Sequence, residues 1–167
     1  MYLVTKRIEF CYGHRLLDYD GVCKHPHGHN AVAEIDVRTD QLDSRNMVAD
    51  FSDIKRLVKG WIDRELDHKM ILRQDDPLVA PLRELGEPMY LLESNPTVER
   101  IARLIFEKTH ELGFHVMLPL DPPGCDPKSG DYARVQKAIV KDSLTGKKAA
   151  IDSRSFASYN PAYKPFR

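Results

Sequence analysis

The sequence predicts an α+β fold in which two helices pack on one face of a four-stranded antiparallel sheet. Two segments near the N-terminus alternate apolar and polar residues, as half-buried strands do. Two later segments repeat apolar residues at helical spacing, and two short apolar segments follow them. Strands and helices grouped in this way are typical of helices packed on one face of an antiparallel sheet.

The first two strands are predicted over residues 2–14 and 29–38. Apolar residues of the first strand share one parity, and His14 continues it. The apolar parity of the second strand, followed backwards, includes His29 and His27. The residues between the strands hold two glycines and one proline, which predicts a long loop.

Capping residues and apolar spacing predict the two helices. The first begins near Ser52, since Asp50 supplies a cap-type side chain. Its buried stripe comprises Ile54, Leu57, Val58, Trp61, Ile62 and Leu66. The second helix follows Asn95 as the N-cap residue, with Pro96 in the first position. Its stripe comprises Val98, Ile101, Leu104, Ile105 and Leu112.

The remaining predicted elements are short. One short helix is predicted at 77–85, between the two long helices. The last two strands are predicted around 138–140 and 149–151, joined by a hairpin turn at Thr145-Gly146. Because a four-stranded sheet exposes its edges, a homo-oligomer assembled by strand pairing is expected.

The composition predicts one globular domain over residues 1–167, with 25 basic and 25 acidic residues. Zero net charge excludes the broad basic surface of a nucleic-acid-binding protein. No apolar run approaches the roughly 18 residues of a membrane span, so no membrane partner is expected. The N-terminus has no long apolar signal-peptide core, so secretion is not expected. The three cysteines have no framework spacing, which favours a reducing, cytoplasmic location.

Three histidines form the candidate metal site. His14, His27 and His29 share the inward parity of the first two strands. Histidines at i and i+2 of a strand point the same way, and a third from the neighbouring strand completes the ligand set of a catalytic zinc. The alternative, a polar loop beside a hydrogen-bonded core histidine, is disfavoured by the shared parity. Imidazole also accepts iron, nickel or copper.

Cys23 lies in the loop between the first two strands and has three interpretations. Its spacing to His27 allows a fourth metal ligand. A nearby cation would instead lower its pKa and make it a thiolate nucleophile or base. The third interpretation is an inert, buried cysteine, for which a loop containing Gly21 and Lys24 is a poor place.

Two further polar sites have both a structural and a functional interpretation. Asp67 and His68 close the first helix, where His68 either complements the helix dipole or is oriented by Asp67 for acid–base catalysis. The pair can touch only where the helix frays. Glu99 is either an acid in the first helical turn or a carboxylate that binds the N–H groups of a heterocycle.

Five motifs together resemble the 6-pyruvoyl-tetrahydropterin synthase and 6-carboxy-tetrahydropterin synthase family. They are FCYGHRL at 10–16, CKHPHGHN at 23–30, VADFSDIK at 48–55, LDHKMI at 66–71 and NPTVER at 95–100. The resemblance implies the tunnelling fold, with trimers stacked into a hexameric barrel and active sites between subunits. It also implies a zinc cofactor and a small pterin triphosphate substrate.

The resemblance assigns roles residue by residue. His14, His27 and His29 match the zinc ligands, and Cys23 matches the catalytic cysteine. Catalytic roles also fall to Asp67 and His68, contributed across the interface, and pterin-binding roles to Thr97 and Glu99.

The resemblance covers two reactions of 7,8-dihydroneopterin triphosphate. One eliminates triphosphate to give 6-pyruvoyl-tetrahydropterin. The other, in queuosine biosynthesis, gives 6-carboxy-5,6,7,8-tetrahydropterin, acetaldehyde and triphosphate. The short spacing from Cys23 to His27 resembles the second branch.

The C-terminal part, 114–167, departs from the family pattern. Asp142 and Ser143 stand where the family has a glutamate and a threonine, and this glutamate also binds the pterin. Aspartate is one methylene shorter than glutamate, so its carboxylate reaches less far towards the pterin ring. This departure leaves a non-catalytic zinc- or pterin-binding protein as an alternative to the two enzymes.

Overall fold

The computed structural model describes residues 1–114 and the backbone of 134–142 and 148–152. It contains six strands, namely β1 (Tyr2–His14), β2 (His27–Thr39), β3 (Lys69–Arg73), β4 (Met89–Leu92), β5 (Arg134–Asp142) and β6 (Lys148–Asp152). The helices are α1 (Phe51–Ile54), α2 (Gly60–Glu65), α3 (Val79–Glu84) and α4 (Val98–Glu111), with a π-helical turn at Lys55–Lys59 and a 3₁₀ turn at Val22–Lys24. The α+β prediction is confirmed.

All six strands form one mixed sheet in the order β4-β3-β1-β2-β5-β6. Strands β1 and β2 pair antiparallel along their whole length, from Tyr2 opposite Thr39 to His14 opposite His27. Antiparallel pairing continues from β2 to β5 and from β5 to β6. These four strands are the predicted antiparallel sheet.

The prediction of a purely antiparallel sheet was wrong at the β1 edge. There β3 pairs parallel with the end of β1, and β4 pairs parallel with β3. Both strands are short: β3 has five residues and β4 has four. Such short runs show too little periodicity to be distinguished from loops or buried helix turns in the sequence.

The predicted first helix is one helical segment made of α1, the π-helical turn and α2. The Asp50 side chain caps it by accepting a hydrogen bond from the Ser52 amide at 2.8 Å. Its apolar stripe packs as predicted, with Ile54, Val58 and Ile62 fully buried. The short helix predicted at 77–85 is α3.

The second helix begins later than predicted. Thr97, not Asn95, is its N-cap residue, and the Thr97 hydroxyl accepts a hydrogen bond from the Arg100 amide. The Asn95 side chain instead holds the backbone of Leu17, accepting from its N–H at 2.9 Å and donating to its carbonyl at 2.7 Å. This residue therefore ties the loop after β1 to the start of α4.

The core lies between one face of the sheet and the helices. The even-numbered face of β1, with Ile8, Phe10 and Tyr12, packs in one cluster with Ile62 of α2 and Ile105 of α4. Among the described residues, no helix has the length and apolar character needed to cross a bilayer. The hairpin residues 143–147, the connection 115–133 and the tail 153–167 lie outside the described residues.

Candidate metal centre and active site

Three imidazole rings converge at the end of the β1–β2 pair. The Nε2 atom of His14 lies 3.0 Å from the Nε2 atom of His27 and 3.0 Å from that of His29. Strand β2 begins at His27, so His27 and His29 are two positions apart on one strand and point to one side. His14 faces them from the last position of β1. We call these three residues the imidazole cluster.

Backbone carbonyls orient two rings of the imidazole cluster. The Nδ1 atom of His14 lies 2.7 Å from the carbonyl oxygen of Pro96, and Nδ1 of His27 lies 2.8 Å from the carbonyl oxygen of His25. A carbonyl oxygen only accepts hydrogen bonds, so each Nδ1 carries the proton and donates it. Each Nε2 therefore presents a lone pair, as a metal-binding imidazole requires.

The donor set of the imidazole cluster fits a divalent cation. Lone pairs 3.0 Å apart repel one another unless a positive charge lies between them. Imidazole nitrogens bound to one tetrahedral zinc would lie roughly 3.3 Å apart, close to the observed spacing. Burial lowers the pKa of His14 to about 4, against the opposing effect of its hydrogen bond to Pro96, so the ring is neutral at pH 7. Three protein nitrogens leave a fourth position for a substrate.

A buried ion pair fixes the chain just after His14. The Arg15 guanidinium donates two hydrogen bonds to the Asp76 carboxylate, one of them from Nε at 2.7 Å. The Asp76 side chain is 0% exposed and also accepts a hydrogen bond from the Leu78 amide. Burial acts to raise the pKa of Asp76, but these hydrogen bonds outweigh it and hold the pKa below its usual value. Sequence reasoning missed Asp76, because its partner is 61 positions away.

Cys23 lies in the 3₁₀ turn between β1 and β2, and its side chain is partly exposed. The turn is attached to the segment after β1, since the Leu16 amide donates to the Cys23 carbonyl at 2.8 Å. Within the part of the chain that the structure describes, the group at His14 that could hold a metal ion contains three imidazoles and does not include Cys23.

Asp67 and His68 lie between α2 and β3, where the helix has ended, as the sequence predicts for a touching pair. The His68 Nδ1 atom is 3.0 Å from an oxygen of the Asp67 carboxylate. Burial acts to raise the pKa of Asp67, but hydrogen bonds from the Cys11 amide and from His68 outweigh it and lower the pKa. The Asp67 carboxylate is therefore an anion at pH 7 and orients the imidazole.

Within a single chain, the Cys23 turn and the Asp67–His68 pair are held by different residues. Among the described residues, no hydrogen bond or ion pair joins it to Asp67 or His68. The pair is held by Cys11, three residues before His14 on β1, which corresponds to roughly 10 Å of strand. The Cys23 turn is held two residues beyond His14.

Sequence reasoning missed Cys11. The Sγ atom of Cys11 and one ligand atom each from Asp67 and His68 all lie within 4.8 Å of one another. On the sequence alone, Cys11 is simply a residue on the outward parity of a strand. Its neighbours become visible only when β3 pairs beside β1.

The predicted substrate-binding residues take three positions. Thr97 caps α4, directly after the Pro96 carbonyl to which His14 donates. Glu99 lies in the first turn of α4 and is exposed. Asp142 is the last residue of β5, opposite Ala31 in β2, and its side chain lies outside the described part of the structure.

Comparisons with known proteins identify the family to which this chain belongs. A family model described as 6-pyruvoyl tetrahydropterin synthase matches residues 3–117. The chain belongs to this family. A relative from Rickettsia bellii, named 6-carboxy-5,6,7,8-tetrahydropterin synthase, is 43% identical over 100 residues, which is 59% of this chain and 72% of the relative. Family membership and the similarity to the 6-carboxy-tetrahydropterin branch are thus confirmed.

Solved structures of distant relatives share the fold. A crystal structure of an uncharacterised protein from Wolinella succinogenes aligns with a TM-score of 0.68 at 23% identity, covering 90% of this chain and 97% of that one. The Caenorhabditis elegans 6-pyruvoyl tetrahydropterin synthase aligns with a TM-score of 0.57 at 20% identity, covering 91% and 96%. At such identities the likeness concerns the fold alone.

Proposed function

We propose that this chain is a 6-carboxy-5,6,7,8-tetrahydropterin synthase. It would be a zinc-dependent lyase that converts 7,8-dihydroneopterin triphosphate to 6-carboxy-5,6,7,8-tetrahydropterin, acetaldehyde and triphosphate, a step of queuosine biosynthesis. The observation that carries the proposal is the imidazole cluster, with Nε2 of His14 at 3.0 Å from two further Nε2 atoms. The Rickettsia bellii relative, which bears this name at 43% identity, supports it.

The imidazole cluster would hold the zinc ion. When bound, zinc supplies Lewis acidity that makes side-chain hydroxyl groups and their neighbouring C–H bonds more acidic. The Pro96 and His25 carbonyls keep the two ring nitrogens aimed at this position, which limits the reorganisation that binding requires.

The chain's own residues would move the protons. Cys23, beside the imidazole cluster in sequence and not part of it, would act as the thiolate base at the substrate side chain. His68 would accept and return a proton, while the Asp67 carboxylate holds its ring at 3.0 Å. Cys23 requires a reduced thiol, in keeping with a cytoplasmic location.

The separation of Cys23 from the Asp67–His68 pair supports an active site shared between subunits. In the proposed arrangement, Cys23 of one chain meets Asp67 and His68 of a neighbour, within a homo-hexamer of two stacked trimers that forms the tunnelling-fold barrel. Each chain would contribute one domain over 1–167. One complete set of residues then arises only by assembly.

Binding of the pterin is proposed for the start of α4. Thr97 and Glu99 follow the Pro96 carbonyl that holds His14, so a ring bound there would place its side chain towards the imidazole cluster. The Glu99 carboxylate would accept N–H groups of the ring as charge-assisted hydrogen bonds. Asp142 would add a second carboxylate from the end of β5.

An assay with three distinguishable outcomes tests the proposal. Purified zinc-loaded protein is incubated with 7,8-dihydroneopterin triphosphate, and acetaldehyde, triphosphate and pterin products are measured. Acetaldehyde together with triphosphate supports the proposed reaction. Triphosphate without acetaldehyde would instead indicate a 6-pyruvoyl-tetrahydropterin synthase. No product from protein that carries one zinc per chain would indicate a non-catalytic binding protein.

A further inference from the structure

Cys11, Asp67 and His68 form a second group of metal-type ligands, which we call the Cys11 cluster. A thiol, a carboxylate and an imidazole each place one ligand atom within 4.8 Å of the other two. The cluster is separate from the imidazole cluster, because Cys11 has the opposite parity on β1 to His14 and faces away from the core. Both clusters border one cavity of about 380 Å³, which is lined by His29 of the imidazole cluster and by Cys11 and His68 of the Cys11 cluster.

The backbone of Cys11 holds the other two ligands in place. The Cys11 amide donates to the Asp67 carboxylate at 2.8 Å, and the His68 amide donates to the Cys11 carbonyl at 2.8 Å. His68 has a φ of 57°, so the chain turns sharply there and two sequence neighbours both reach the same strand residue. The cluster is thus built by two chain segments, β1 and the turn before β3, that meet at one point.

We propose that the Cys11 cluster is a second binding site for a divalent cation of the zinc or cobalt class. A thiolate and a carboxylate together neutralise a charge of +2, and the imidazole adds a neutral ligand. Thiolate and imidazole ligands select zinc and cobalt over magnesium and calcium, which prefer oxygen.

The geometry allows a three-ligand site with an open position. The His68 side chain is 79% exposed, so it can turn to shorten the ligand spacing, and water can occupy the fourth position. The carboxylate already lies 3.0 Å from the His68 ring, close to the spacing of two ligands on one zinc ion. The Cys11 sulfur also lies within 4.8 Å of one ligand atom of each of these residues.

Cobalt binding tests the site without any activity measurement. Metal-free wild type, Cys11→Ser, Cys23→Ser and His27→Ala are titrated with Co²⁺, and bound metal and the near-ultraviolet absorption of a cobalt–thiolate bond are recorded. Wild type is expected to bind two equivalents per chain and to show the thiolate band. Cys11→Ser should bind one equivalent without the band, its second affinity being at least ~100-fold weaker.

The two remaining variants separate this site from its neighbours. Cys23→Ser should keep both equivalents and the band, and His27→Ala should lose one equivalent and keep the band. A band that persists in Cys11→Ser, or that disappears in Cys23→Ser, would overturn the proposal, as would a single equivalent in wild type. The equivalent that Cys11→Ser retains also shows that this variant is folded.

Occupation of the Cys11 cluster has a consequence that rests on the proposed function. A metal bound to Asp67 and His68 removes both from proton transfer, so a second zinc equivalent should lower wild-type activity at least ~10-fold. Cys11→Ser should keep its activity at the same zinc concentration. Binding of the second equivalent without inhibition would refute this regulatory role. Inactivity at one zinc equivalent would refute the proposed function, while the cobalt result still decides the site.

Discussion

The imidazole cluster and the Cys11 cluster each take one residue from β1, His14 and Cys11, which are three positions apart. The two clusters are nevertheless built differently. His14 is buried, and hydrogen bonds to backbone carbonyls already fix two rings of the imidazole cluster. His68 of the Cys11 cluster is largely exposed and lies in a left-handed conformation that non-glycine residues adopt rarely. The first cluster is therefore complete within one chain, whereas the second is accessible to a further ligand or a second subunit.

The largest expected effect on zinc content and activity comes from removing one ring of the imidazole cluster. His27→Ala leaves two nitrogens, which is too few for a stable zinc site, so the variant should lose the zinc equivalent of the imidazole cluster. Activity should fall by ~1000-fold or more, since the metal contributes several kcal/mol to the reaction. Metal analysis and acetaldehyde release measure both effects.

The matched control for His27→Ala is His25→Ala. His25 is exposed, and its backbone carbonyl, which holds the ring of His27, is unchanged in the variant. His25→Ala should keep zinc and activity near the wild-type values. Equal zinc loss in both variants would contradict the assignment of His27 as a ligand.

Loss of the Cys23 thiol separates catalysis from metal binding. Cys23→Ala should lower turnover by ~10²–10⁴-fold, the contribution typical of a positioned acid–base group, with zinc still bound. Val22→Ala, in the same turn and 85% exposed, is the control and should be active. If Cys23→Ala loses its zinc, Cys23 is a metal ligand and not the base.

The buried ion pair after His14 supports the imidazole cluster from the other side. Asp76→Asn leaves Arg15 without its charged partner, and such a change should lower the free energy of unfolding by about 3 kcal/mol. Urea unfolding of the metal-free protein measures it. The exposed pair Lys59–Asp63 provides the comparison, because Asp63→Asn should cost less than about 0.5 kcal/mol. Equal costs would show that burial of Asp76 does not matter.

Acid should act on the same ion pair. Hydrogen bonds hold the folded pKa of Asp76 below its ordinary value of 3.8. Its contribution is therefore fully present above that value and is lost as the pH falls through the folded pKa. Below about pH 3.8, the free energy of unfolding should fall more steeply with falling pH for wild type than for Asp76→Asn. Parallel pH curves would mean that another carboxylate dominates acid unfolding.

The smallest expected effect tests the strain in the Cys11 cluster. His68→Gly removes the steric cost of the left-handed residue, so thermal unfolding should show a gain of about 1 kcal/mol. His68→Ala keeps the backbone conformation and should show no such gain. Both variants should lose activity if His68 moves the proton. A fully active His68→Gly would remove His68 from the mechanism.

Patterns along the chain were sufficient to predict much of this molecule. The parity of β1 and β2 indicated that His14, His27 and His29 share one face, and the structure brings their Nε2 atoms together. Helical spacing indicated the buried stripe that includes Ile54 and Ile62. Both inferences succeed because the period of a strand or helix is a local property of the backbone.

Other features depend on residues that are distant in sequence. Asn95 has the composition of a helix cap, yet its amide binds the backbone of Leu17, and Thr97 takes the cap position. The parallel pairing of β3 and β4 likewise left no periodic pattern to detect. In each case a tertiary partner competes successfully with the local preference.

The sequence by itself thus determined which three imidazole rings share one face of the sheet and which helices cover that face, because these features follow from short-range periodicity. Only the tertiary structure decided which atoms orient those rings, that Asp76 buries its charge against Arg15, and that Cys11 meets Asp67 and His68. The hydrogen bonds among these contacts join residues that are 56 to 82 positions apart in the sequence. No local sequence pattern indicates such a pairing. They arise when β3 and the start of α4 close against the end of β1, where both clusters lie.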